Sequence, residues 1–180
     1  MTPLTLHLAA LLLFTAPAQA APTSPTNASS TVFSWSQWVE DIIANPDTAL
    51  TPDAAVEAAT AAAVAASAGG LQKRAPDCAF PAQYAPGRDA AACLDYLTRI
   101  GQQGTMCGMP STYRNIQMCR IGRAEVVGSQ GTYPAPSTDC INVARTGGLI
   151  FDGCWRAGDI VKGSEVCVNN GMLTVRIGGL

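Results

Sequence analysis

The chain has 180 residues, 48% of them hydrophobic and 13% charged, with a formal charge of −2 and one histidine. That length is normally a single domain, and so small a net charge offers no electrostatic case for nucleic-acid binding. All seven cysteines (Cys78, Cys93, Cys107, Cys119, Cys140, Cys154 and Cys167) lie beyond residue 77, so a cysteine-free part precedes a cysteine-dense one.

Residues 1–20 read as a signal peptide. The apolar run over 4–16 is shorter than the roughly 20 residues that a bilayer span needs. Ala18-Gln19-Ala20 supplies the small-residue pattern for cleavage after Ala20. No later apolar run has the length of a membrane span, and the end "TVRIGGL" lacks the hydrophobic tail of a lipid-anchor signal. The expectation is a secreted, extracellular protein whose cysteines form a disulfide framework. Cys-x-x-Cys does not occur, which argues against a zinc ribbon or a thioredoxin-type site.

Residues 21–74 read as a pro-segment. Its Ser/Thr/Pro-rich start contains Asn27-Ala28-Ser29, an N-glycosylation acceptor. Trp35, Trp38, Val39, Ile42 and Ile43 fall at helical spacing and predict a short amphipathic helix, ended by Asn45-Pro46. Thr51 as cap and Pro52 in the first turn start a second, alanine-rich helix to about Ser67, with Gly69-Gly70 as its stop. The glycines leave Lys73-Arg74 on accessible backbone, where a nick is tolerated. The pair resembles the site cut by kexin-type processing proteases of the fungal secretory pathway. Charge divides the same way: residues 21–74 hold five acids and two bases, −3, whereas 75–180 hold eight acids and nine bases, +1. Two roles are open for the segment. The simpler is a spacer that aids export; the other is a cover, in which the tryptophans and isoleucines sit on an apolar patch of the mature domain.

Residues 75–180 form the mature cysteine-rich domain. Thirteen residues separate Cys93 from Cys107, and thirteen separate Cys140 from Cys154; the next gaps, to Cys119 and Cys167, are eleven and twelve. This spacing suggests one helix-strand-strand unit used twice. The first helix, "AAACLDYLTRI", takes Asp89 as N-cap and stops at Gly101. The second begins at Ser137, Thr138 or Asp139, and Gly147-Gly148 weaken it by about 1 kcal/mol each relative to alanine, so a short or bent helix is expected. Strands follow at "TMCGM" and "NIQMCRIGRAEVVG", with Gly122 at a turn, and "IVKGSEVCVNNGMLTVRIG" reads as a hairpin turning at Asn169-Asn170-Gly171. The expected fold class is α+β: a small disulfide-stapled antiparallel sheet with two helices on one face. Cys93–Cys119 and Cys140–Cys167 would each staple a helix to the sheet, and Cys78 would take Cys107 or Cys154. Seven being odd, one thiol is left free or bridges to a second chain as a disulfide-linked dimer.

The segments "CLDYLTRIG…C", "STDCINVA…I…C" and "VKG…NNGMLTVRI" resemble the small secreted cysteine-rich fungal proteins with a killer-toxin-like α/β-sandwich, many of them candidate effectors. The resemblance covers most of residues 78–180. It implies secretion and action on another cell or host, and it carries no shared catalytic set.

Once residues 1–74 are removed the domain holds no histidine, because the single one is His7. That excludes Ser-His-Asp and Cys-His sites, imidazole-based ribonuclease chemistry and histidine-bound zinc. No phosphate-binding glycine loop, EF-hand or HExxH motif is present. Neither a cofactor nor a metal is expected, and Lys162 reads as a solvated strand residue. Glu125, Glu165, Asp152 and Asp159 are the acids from which a glycosidase pair would be drawn. Arg114, Arg120 and Arg123 form a run without an intervening acid and are candidates for a phosphate or anionic lipid, against the plainer reading of a solvated sheet face. Trp155, directly after Cys154, is a candidate contact for a glycan or protein, or else packs against a disulfide. The expected function is a secreted, non-enzymatic effector or toxin-like protein that binds an unidentified protein, glycan or membrane target on another cell. The alternatives are a small carboxylate-based glycosidase and a structural cell-wall interaction protein.

Overall fold

Helix α1, Trp35–Ala44, begins where Ser34 accepts the Gln37 N–H and ends at Asn45, as the Asn-Pro signal requires. The computed structural model describes residues 32–65, 76–110, 113–130 and 137–180. The expected signal peptide with Ala20, the glycosylation acceptor pattern at Asn27, and Lys73-Arg74 lie outside the described residues. Helix α2, Pro52–Ala65, starts with Thr51 Oγ1 accepting the Ala54 N–H.

In the cysteine-rich part, a two-residue strand β1 (Ala85–Pro86) leads into α3, Gly87–Gln102. Asp89 is not the N-cap of α3. It lies inside the first turn, and its carboxylate accepts the Arg123 N–H across the fold. Asp159 serves that helix end instead: its backbone carbonyl accepts the Gly87 N–H at 2.7 Å and its carboxylate faces the Arg88 N–H at 3.3 Å. A carboxylate there favours the positive end of the helix dipole. Strand β2 (Met106–Gly108) follows, then β3 (Asn115–Ile121) and β4 (Ala124–Gln130) around Gly122, whose φ of 54° suits glycine.

Strand β5 (Ser137–Asp139) runs into α4, Cys140–Cys154, whose N-cap is Asp139, accepting the Ile141 N–H. The helix spans 15 residues and is not cut short at Gly147-Gly148. A Cβ on Gly147 would collide with the Leu94 side chain of α3, so the glycine is where the two helices close on each other. Strands β6 (Ile160–Val161), β7 (Gly163–Cys167) and β8 (Asn170–Gly179) complete the chain. The final hairpin turns at Val168-Asn169, one residue earlier than the sequence suggests, because Asn169 takes the left-handed conformation at φ 59° and β8 already starts at Asn170.

The main sheet is antiparallel with strand order β3-β4-β8-β7, two hairpins joined along β4 and β8. Two-stranded pairs β1-β6 and β2-β5 flank it. Val126, Leu173, Val175 and Ile177 of the sheet are fully buried, as are Leu94 and Leu97 of α3 and Val143, Ile150 and Phe151 of α4. Each such side chain contributes about 1.5–3 kcal/mol by leaving water. The architecture is the expected α+β fold with both helices against the sheet.

Three disulfides staple it: Cys78–Cys154, Cys93–Cys119 and Cys107–Cys140. The second is the expected bond, and Cys78 takes one of its two expected partners. The expected Cys140–Cys167 bond is replaced by Cys107–Cys140. The reason is the β2-β5 pair, which sets Cys107 opposite Thr138, two residues before Cys140. The staples therefore do not repeat from one helix to the next. Cys167 is left as a buried free thiol, 4% exposed, and burial pushes its pKa up. An inter-chain bond through it would require β7 to open. The native protein should accordingly resist iodoacetamide and take one label per chain only in denaturant, read by intact mass; full labelling without denaturant would contradict this burial.

Candidate functional site

The residues with the most developed environment lie on the outward ridge of α4. Arg145, Gly148 and Asp152 follow one another at steps of three and four residues, and Phe151 comes three after Gly148, which places them along one helix face. Helix α1 lies on this ridge and against α3. Its own inner stripe, Trp35, Trp38, Val39 and Ile42, is buried to 3% exposure or less. The segment is therefore not a bare spacer. Its aromatic face is part of the same apolar core as the stapled domain, which is the cover arrangement rather than the simpler one.

Three features of the domain fit a helix in this position. At the N-terminal end of α1, the Asp152 carboxylate accepts the Trp35 N–H at 2.6 Å and the Ser36 N–H at 3.1 Å, and also the Ser34 and Ser36 hydroxyls. These are unpaired first-turn donors, and an anion placed there opposes the helix dipole favourably. At the other end, Gln102 of α3 donates its side-chain amide to the Ile43 carbonyl at 3.0 Å and the Ile42 carbonyl at 3.4 Å. Between the ends, a Cβ on Gly148 would lie 2.9 Å from Ser36 Cα and 3.2 Å from the Trp35 carbonyl oxygen. Glycine alone lets the two helix backbones come this close.

Arg145 meets Glu40 through two hydrogen bonds, Nε to Oε1 at 2.6 Å and Nη2 to Oε2 at 2.9 Å, the forked geometry that guanidinium and carboxylate favour. The hydrogen bond from Arg145 holds the Glu40 carboxyl below its usual range and raises Arg145 in turn. Both side chains keep about a third or more of their surface in water, 34% and 44%, so the pair adds well under 1 kcal/mol. Because the folded-state pKa of Glu40 is lowered, this contribution is present above the usual carboxylate range and disappears as pH falls through the depressed value. Glu40→Gln should thus lower the urea midpoint slightly at pH 7 and leave it unchanged at pH 2–3; an equal loss at both would mean that charge is not the cause.

Aromatic rings line the outer end of the same trough. The Trp35 ring centroid lies 4.5 Å from Phe151, 5.6 Å from Trp38 and 6.2 Å from Trp155. Phe33, Trp35, Phe151 and Trp155 border a cleft of about 150 Å³ whose far wall is α2. Trp155 is therefore not an outward-facing contact in this arrangement. It is half-buried, with Nε1 turned in toward Gly87.

The remaining sequence candidates do not converge. Arg114 precedes β3 and Arg123 sits in the turn after it, so a seven-residue strand, about 23 Å long, lies between them. Arg120 is paired in register with Glu125, an acid on the adjacent strand. The arginines thus form no single anion pocket. The carboxylates are no closer to a pair. Glu125 lies opposite Gly178 and Glu165 opposite Val175, an odd separation along β8 that puts them on opposite faces of the sheet. Asp152 and Asp159 are each engaged at a helix N-terminus. Among the described residues no group of three metal-ligating side chains comes together, and no helix is long and apolar enough to cross a membrane.

Sequence reasoning passed over Arg145 and Gln102, and it read Gly148 only as a weak point of the helix and Asp152 only as one of four scattered acids. The signal joining Arg145, Gly148 and Asp152 is their common helix face, which the two glycines disguise as a weak helix. Gln102 carries no signal, since its role depends on where α1 ends. No curated protein and no solved structure matches the chain. Residues 73–179 do match a family model, which begins at the dibasic pair, takes in all seven cysteines, and leaves α1 and α2 outside. By that match the chain belongs to the family described as a domain of unknown function, DUF8794.

Proposed function

We propose that this protein is a secreted precursor whose disulfide-stapled domain acts by binding a target on another cell, in the manner of an effector or toxin, and is kept covered until the bond after Arg74 is cut. The observation that carries this reading is the burial of Trp35, Trp38, Val39 and Ile42 against the stapled domain by a segment without a cysteine. Every staple lies within residues 78–154, so a cut at Lys73-Arg74 leaves no covalent link between cover and domain. The start of the family match at residue 73 supports the same boundary. Three disulfides in so small a domain suit an oxidising, extracellular setting.

Function by binding rather than turnover is favoured because the worked-out chemistry of the trough, an apolar stripe with caps at both ends, is that of recognition. The test is secretion of the full chain from a fungal host. Intact mass before and after reduction should show a product starting at Ala75 with six cysteines bonded, and Lys73→Ala with Arg74→Ala should secrete the longer form. Added to target cells, the short product should bind and reduce survival where the long form does not. A product starting elsewhere would overturn the processing step. Equal behaviour of the two forms would overturn the covering role.

A further inference from the structure

The trough on α3 and α4 is more specific than an apolar patch needs to be. An apolar surface buried by any convenient segment requires only shape and greasiness. This one carries an acid that accepts first-turn N–H groups and an amide that donates to last-turn carbonyls. The two lie at the ends of a ten-residue helix, about 15 Å apart along its axis. It also carries Gly148, a notch for close backbone approach, and Arg145 on one flank. End caps are informative because only a helix, and only in one direction, presents free N–H groups at one end and free carbonyls at the other.

We propose that this trough is a helix-recognition site, and that after the N-terminal segment is cut free it takes from a partner protein an amphipathic helix with the chemistry of α1. That helix would carry two aromatic residues three apart, as Trp35 and Trp38 are. Aliphatic residues would follow at the Val39 and Ile42 positions, with an acid on the flank where Glu40 meets Arg145. Helix α1 is then the built-in occupant. While joined to the domain it competes at an effective concentration near the millimolar range, and cleavage removes that advantage. The inference rests on the proposed release of the segment, and it adds the class of partner and the residues that read it. The helix-in-groove mode supplies the physics: aromatic anchors give affinity, and the caps and charge set direction and register.

The test places a site-specific protease sequence over residues 68–74 of the full chain, so that the folded protein is cut on demand whatever happens at Lys73-Arg74 during secretion. The probe is a fluorescein-labelled peptide of residues 32–50. The uncut chain should not bind it, and the cut chain should bind it saturably as the native fragment exchanges off. A peptide carrying Trp35→Ala and Trp38→Ala should bind at least 100-fold more weakly. Gly148→Ala in the chain should weaken binding of the unaltered peptide about tenfold or more. Alanine favours a helix over glycine, so lost binding with three intact disulfides and unchanged circular dichroism reports the notch and not misfolding. Equal binding by cut and uncut chains, or by both peptides, would overturn the proposal. So would a native fragment that excess peptide never displaces, which would make it a permanent subunit. Dimers of the uncut chain at high concentration, with α1 exchanged between copies, would assign the trough to self-association and also overturn it. Failure of the secreted product to start at Ala75 would leave these outcomes readable and would count against the processing step alone.

Discussion

Trp38→Ala is expected to unseat α1 while leaving the stapled domain folded. The indole is 2% exposed, and its Nε1 donates to the Leu50 carbonyl at 2.9 Å. Truncating a buried aromatic of this size costs about 3–5 kcal/mol through lost transfer and the cavity left behind. Here the loss has a ceiling. Neither α1 nor α2 is tied by a disulfide, so once the cost exceeds the docking free energy the helices undock and the domain keeps its own core. Hydrogen exchange resolves the two layers. Amides of residues 35–44 should lose protection, while those of β4 and β8, at the centre of the sheet, keep theirs. A uniform loss across both would show that the segment and the domain unfold as one unit, and a loss below about 1 kcal/mol would show that Trp38 does not anchor the helix.

The second large effect is removal of the Cys78–Cys154 bond by Cys78→Ala with Cys154→Ala. Its ends are 76 residues apart, against 33 for Cys107–Cys140 and 26 for Cys93–Cys119. On the chain-entropy account the longest loop contributes about 4.5 kcal/mol and the shortest about 3.5. The order of the three double-alanine variants in urea midpoint should therefore follow loop length, with the Cys78–Cys154 variant least stable. The same bond holds the segment just after the dibasic pair to the end of α4, where Asp77 pairs with Ser164 and Gly153 faces Pro76. Its loss should leave the new N-terminus mobile after cleavage, read as faster exchange at residues 76–80. If the Cys93–Cys119 variant were the least stable, native-state strain or residual structure would outweigh loop entropy.

The trough also shows how the two parts of the chain fit each other. Gly147 and Gly148 look like defects in a helix that is already short of strong helix formers. One makes room for Leu94 within the domain, and the other makes room for the backbone of α1. A local cost of about 1 kcal/mol at each is offset by close approach on two sides of α4. Arg145 and Asp152, read singly, are ordinary surface charges. On the same face as Gly148 they mark one end and one flank of a seat.

What the sequence determined unaided was local. Helical spacing placed α1, Thr51-Pro52 started α2, Gly122 turned one hairpin, and alternation with asparagines marked the other, because each depends on backbone preferences within a few residues. The α+β class followed from the order of those elements, and Cys93–Cys119 was suggested by a helix lying over a strand of its own unit, although spacing alone left the pairing open. The tertiary structure decided whatever depends on contacts between distant segments. The β2-β5 pairing hands Cys140 to Cys107 and leaves Cys167 alone, against the regular spacing. The packing of α1 turns a plausible spacer into part of the core and carries Trp155 from the surface to its side. The arginines and carboxylates scatter for the same reason. Nearness in a folded chain is set by which apolar faces find each other, and sequence separation carries little information about that.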